Sequence, residues 1–118
     1  MIEELIARIF ATLNLIRLNH WKESSGFRHE TLGEFYDQLA SDLDEIVECH
    51  IGAGNELGNV QQSASDSSTS LLDRLAQEAD WINVNTSNIA DELRAIESLL
   101  DVMVTHYLRV IYKLKKLK

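Results

Sequence analysis

Between Ile89 and Leu117 the apolar residues Ile89, Leu93, Ile96, Leu100, Met103, Tyr107, Val110, Leu114 and Leu117 recur at alternating steps of four and three. An α-helix places such positions on one face, and a face of that kind is buried against other helices. The end of the chain is therefore committed to helix packing. The 118 residues include no proline, so nothing obliges a long helix to kink or stop. A chain of this length makes one domain, taken as residues 1–118. It buries roughly two-thirds of its unfolded surface, enough for a core without disulfide staples.

Three further helical segments precede this one. In the first, about 2–22, Ile2, Leu5, Ile6, Ile9, Phe10, Leu13, Ile16 and Leu18 fall on one face, and Ser24-Ser25-Gly26 ends it. In the second, about 27–51, Leu32, Tyr36, Leu39, Leu43 and Ile46 form a heptad seam that His29 and His50 extend at its two ends. Gly52, Gly54 and Gly58 close it. The third is short, about 69–82, opened by a Ser70–Asp73 capping pair and ended by Trp81 as a core residue. The fourth runs from about 88 to 117, with Asn88 as cap and Asp91 and Glu92 on the positive end of the helix dipole. Residues 52–68 form the one long irregular stretch, and the polar run 61–68 reads as mobile. The expected fold is all-α: a four-helix bundle with a longer irregular connection between the second and third helices. Simple up-down and crossover topologies both fit the periodicity.

Charge narrows the function. A formal net charge of −8 is the wrong sign for unaided nucleic-acid binding. The start, Met1-Ile2-Glu3-Glu4-Leu5, is acidic where a secretory signal is basic, and no apolar run approaches the ~20 residues of a membrane span. A cytoplasmic protein that neither crosses a membrane nor binds DNA is expected. The basic run from Tyr112 to Lys118 complements a helix C-terminus, a DNA-binding tail being the alternative. Cys49 stands alone, cannot form an internal disulfide, and reads as a small packed residue.

No Cys-x-x-Cys pair, phosphate-binding glycine loop or nucleophile elbow occurs. What remains is His20, His29, Asp44, Glu48 and His50. Imidazole and carboxylate together suit iron, manganese or zinc as divalent ions. Asp44 and Glu48 are spaced i, i+4 and can serve one ion from one helix face. His106 lies beside the last seam and is assigned no role.

Helix geometry constrains this set. Positions 29 and 44 are separated by ~22 Å of helical rise, too far to serve one ion within a subunit. They meet if the second helix pairs antiparallel with its copy across a two-fold axis near Asp37 to Leu39. His20, just before the turn, then joins His29 from the same chain. Gly33 and Ala40 lie near that face and let two helices approach closely. The expected partner is thus a second copy of the chain, in at least a homodimer through the second helix.

The stretches Leu18-Asn19-His20-Trp21-Lys22, His29-Glu30-Thr31-Leu32-Gly33-Glu34-Phe35-Tyr36 and Leu43-Asp44-Glu45-Ile46-Val47-Glu48 resemble the Dps-type miniferritins of the ferritin-like superfamily. In that family a His-Trp pair ends the first helix, a second histidine opens the next, and Asp-x-x-x-Glu follows at the spacing seen here. The resemblance implies a ferritin-like four-helix bundle with a ferroxidase site shared between two subunits, its metal residues here being His20, His29, Asp44 and Glu48. It spans about a third of the chain. The position that adds a carboxylate four residues after the helical histidine in the family is Gly33, the turn after His20 is shorter, and the third segment is truncated. The overall plan is similar to the short ferritin-like proteins of phages of aquatic bacteria. With Gly33 in place, one ion per shared site and slow iron oxidation are expected.

Each of these residues also has a plainer reading. His29 and His50 continue an apolar seam, His20 can cap its own helix, and Asp44 with Glu48 can be a solvated face. The alternative function is a metal-free helical-bundle structural or protein-interaction module.

Overall fold

The computed structural model describes residues 1–62 and 69–117. Four helices appear: α1 (Ile2–Lys22), α2 (Gly26–Gly52), α3 (Leu71–Ala90) and α4 (Arg94–Lys116), with no strand among the described residues. Local chemistry accounts for most of their ends. Glu3 and Glu4 occupy the first turn of α1 and His20 and Lys22 its last, matching the helix dipole at both ends. The Ser25 hydroxyl accepts from the Arg28 N–H to cap α2, and the Ser70 hydroxyl accepts from the Asp73 N–H to cap α3. Lys113, Lys115 and Lys116 complement the end of α4. No described helix is long and apolar enough to cross a membrane.

The helices form a four-helix bundle in which α1 packs on α2 and α3, and α4 packs on the same two. The short links at 23–25 and 91–93 make α1/α2 and α3/α4 antiparallel. The Phe35–Tyr107 edge-to-face pair and the Arg28 bond to the Leu114 carbonyl make α2/α4 antiparallel as well. The order is therefore up, down, down, up. Diagonal helices α2 and α3 run the same way, so the chain between them must return from one end of the bundle to the other. Where that return is described, the Gly58 N–H donates to the Glu3 carboxylate at the start of α1, and this hydrogen bond holds the Glu3 carboxyl below the usual range. Residues 53–62 carry no helix or strand; positions 63–68, most of the polar run read as mobile, lie outside the described residues.

The seams meet as the periodicity requires. Leu5, Ile9 and Ile16 of α1, Leu32, Leu39 and Ile46 of α2, Leu75 and Ile82 of α3, and Ile96, Leu100, Met103 and Tyr107 of α4 are almost wholly buried. One carboxylate joins them. Glu78 is only 3% exposed, and its Oε1 takes Arg8 at 3.1 Å and Arg74 at 3.2 Å. Burial pushes its carboxyl up, against the pull of the two guanidiniums. The Arg8 guanidinium also lies 4.3 Å over the Trp81 ring. Glu78 Oε2 is buried without a hydrogen bond, Thr12 and Tyr107 are buried with it, and burial raises the Tyr107 phenol.

Several expectations are corrected. The third helix continues to Ala90 rather than 82, so Asn88 lies inside it and caps nothing. Trp81 is half-buried in mid-helix under Arg8, not a core residue at a helix end. The break falls at Asp91 and Glu92, with φ of 47° and 71°, and α4 begins after Leu93, which offers no side-chain cap. Cys49 is exposed rather than packed: the last fully buried residue of α2 is Ile46, and the final turns run past the core. Phe10, Leu18 and Leu117, assigned to seams, are exposed rather than buried.

The left-handed turn carries a testable penalty. Left-handed backbone disfavours a Cβ by ~1–2 kcal/mol, and Glu92 is exposed. A Glu92→Gly variant should be more stable than Glu92→Ala by about 1 kcal/mol. Urea denaturation of the two variants measures this, and equal midpoints would refute the strained turn.

Candidate metal centre

The α1–α2 turn is fastened before any functional side chain is considered. The Glu23 carboxylate accepts from the Ser25 N–H and from Arg28 Nε, each at 3.2 Å. The Ser25 bond and then Arg28 hold its carboxyl below the usual range. Arg28 Nη1 donates to the Leu114 carbonyl at 2.6 Å, tying the turn to the end of α4.

On this turn His20 and His29 are clasped. Their rings stack with centroids 3.8 Å apart and planes 20° from parallel. His20 Nδ1 lies 2.6 Å from the His29 carbonyl oxygen, and His29 Nδ1 lies 2.7 Å from that of His20. A carbonyl only accepts, so both Nδ1 atoms carry the hydrogen and donate it. In the neutral rings this leaves the lone pair on each Nε2. Donation of one ring nitrogen to a carbonyl is how metal-ligating histidines are held and their tautomer fixed. The stack also sets a limit. An ion in the plane of one ring lies well out of the plane of its neighbour, so one ion cannot take both Nε2 atoms while the stack is closed.

Gly33 belongs to this clasp. A Cβ there would sit 3.0 Å from His20 Cε1 and 3.4 Å from Nδ1. The glycine admits the His20 ring between α1 and α2. This adds a role to the sequence reading of position 33, which noted a missing carboxylate and a small residue on a face where two helices could approach. Beside it, Arg17, His20, Gly33, Tyr36 and Asp37 line a cleft of about 190 Å³, with the Arg17 guanidinium 4.1 Å over the Tyr36 ring.

Asp44 and Glu48 stand exposed further along α2, on the flank that also carries His29, Gly33 and Ala40. One chain thus brings His20 to His29 and leaves the two carboxylates apart from them. Among the described residues no group of three or more His, Cys, Asp or Glu side chains of a single chain could hold a metal ion. His50 is half-buried, with Nε2 buried and unbonded.

A second histidine site went unread in the sequence. His106 Nδ1 lies 2.6 Å from Asp42 Oδ2, joining α4 to α2. A signal was present: Asp42 falls one position before Leu43 on the inward side of α2, and a carboxylate at such a position needs a partner. No family model, curated protein or solved structure matches this chain.

The clasp decides the sign of a simple substitution. Gly33→Ala in a helix should gain about 1 kcal/mol from propensity alone. Here the new methyl meets a ring held by a hydrogen bond and by its stack on His29, so the variant should show no gain or a loss. The same change in a His20→Ala background should recover the gain. Additive effects in this double-mutant cycle, followed by thermal denaturation, would show that Gly33 and His20 act independently.

Proposed function

We propose that this chain is a ferritin-like, Dps-like bundle protein that pairs along α2 with a second copy and holds a divalent metal, iron foremost, between them. His20 and His29 of one chain face Asp44 and Glu48 of the other. The observation that carries this reading is the stacked His20–His29 pair, each Nδ1 within hydrogen-bond distance of a carbonyl, which leaves each Nε2 free of that bond. The up-down-down-up order supports it, being that of ferritin-like bundles with one crossover connection. So does the exposed position of Asp44 and Glu48 on the flank of α2 that bears His29.

The residues fit an ion of the iron, manganese or zinc class, for which imidazole and carboxylate are suitable donors. While the stack is closed, one ring ligates and the other braces it; the second ring joins only by turning out of the stack. The partner's carboxylates supply the charge that two neutral imidazoles lack. Position 33 adds no carboxylate, and the His20 ring fills the space where one would stand. The site therefore holds one ion, and iron oxidation there is slow. A metal-free interaction module is the second reading. It is favoured by the same clasp, since both Nδ1 atoms are satisfied and the rings are stacked without any ion.

Two measurements separate these readings. Sedimentation at micromolar concentration should give a dimer or larger assembly; a monomer rules out the shared site. Fe(II) or Zn(II) should raise the melting temperature, by up to about 2.7 kcal/mol of added stability at one hundred times the dissociation constant. Glu48→Gln should remove most of that shift. An equal shift in both proteins would locate the metal elsewhere.

A further inference from the structure

On the flank of α2 away from His29, a cleft of about 140 Å³ opens between α2 and α4. His106, Arg109 and Lys113 line it from α4, and Thr31, Glu34 and Gln38 from α2. The three α4 residues are spaced i, i+3 and i+7, so one helix face presents all of them. The Nδ1 edge of His106 is committed to Asp42, which fixes the ring and leaves its other nitrogen for the cleft. Neither Arg109 nor Lys113 forms an ion pair among the described residues. In a chain of net charge −8, two unpaired cations and an oriented imidazole converge here on a single carboxylate, Glu34.

We propose that this cleft is a binding site for a small phosphate-class anion, either inorganic phosphate or the phosphate group of a monoester. Arg109 offers a planar fork of donors and Lys113 a mobile point charge, the two modes by which proteins hold phosphate oxygens. The Gln38 amide and the Thr31 hydroxyl add neutral donors from the opposite wall. Asp42 is turned to His106 and leaves the anion only Glu34 to oppose it. The two cations select against a metal ion. The volume admits one phosphate group and is well below the ~300–1,000 Å³ of sites for drug-sized ligands. This site is separate from the histidine clasp and does not depend on a metal or on dimerisation.

The test is calorimetric titration of the full chain with inorganic phosphate and with glycerol phosphate, each against sodium chloride at matched ionic strength. Saturable binding of one phosphate per chain is expected. Arg109→Gln and Lys113→Gln should each weaken it about tenfold, the effect of losing one charge-assisted hydrogen bond. Arg109 is exposed and Lys113 half-buried, so both variants should fold, and circular dichroism checks this. Lys115→Gln removes the same charge from the same helix outside the cleft and should leave affinity unchanged. Equal affinity for the two ligands identifies the free ion as sufficient; tighter glycerol phosphate binding identifies a monoester as the ligand. Binding no stronger than in chloride, or equal weakening by Lys113→Gln and Lys115→Gln, would overturn the proposal.

Discussion

Burial of Leu32, Phe35, Leu39, Leu43 and Ile46 fixes the rotation of α2 about its own axis, because a helix can turn only one stripe into a bundle core. Once that stripe is set, each remaining flank of α2 has a determined neighbour. The flank bearing His29 and Gly33 meets the end of α1, where His20 waits. The flank bearing Thr31, Gln38 and Asp42 meets α4 and His106. A rotation of α2 by one residue, ~100°, would separate both histidine arrangements together. The apolar seam is thus the positioning device for polar groups that never enter it.

The bundle also carries a polar knot that hydrophobic patterning does not require. Glu78 sits between Arg8 and Arg74, with Thr12 and Tyr107 contributing further buried oxygens. Removing a carboxylate from water is costly even when it is paired, and the raised Glu78 carboxyl registers that cost. For a raised carboxyl the sign with pH is opposite to that of an ordinary salt-bridged acid. The native state binds the proton more readily than the unfolded chain, so this group favours folding as pH falls toward its unfolded value. In return, α1 and α3 are held in one register, because only one offset brings Arg8 to Glu78 and also to the face of Trp81.

Much of this was legible in the sequence, and the failures have specific causes. The helical class and most of the seam residues followed from periodicity. The end of α3 did not, because the seam runs through it without a phase change: Ile82 and Ile89 continue the heptad of α3, and Ile89, Leu93 and Ile96 continue into that of α4. Neither glycine nor proline marks the break, which rests on two acidic residues in left-handed backbone. The pairing of His20 with His29 could be foreseen from their places on either side of a short turn. The use of Gly33 could not, since it depends on the distance from a hypothetical Cβ to a ring on another helix. Asp42 and His106 are 64 residues apart, and no local pattern links them.

Three of the four histidines, His20, His29 and His106, share one device and are set in opposite fields. In each, Nδ1 is engaged by a fixed oxygen and the other ring nitrogen is left to act. For His20 and His29 that oxygen is a carbonyl, which bears no net charge, and the same flank of α2 goes on to Asp44 and Glu48. Under the proposed pairing of α2 with its copy, a cation there would meet lone pairs and negative charge. For His106 the oxygen is the Asp42 carboxylate, and the surroundings are Arg109 and Lys113. An anion approaching there finds donors and positive charge. Histidine alone does not specify a ligand; the group that takes its first nitrogen, together with the charges around its second, selects between metal and anion. On that criterion the two flanks of α2 are chemically opposed, and their common origin is the single apolar stripe that orients the helix between them.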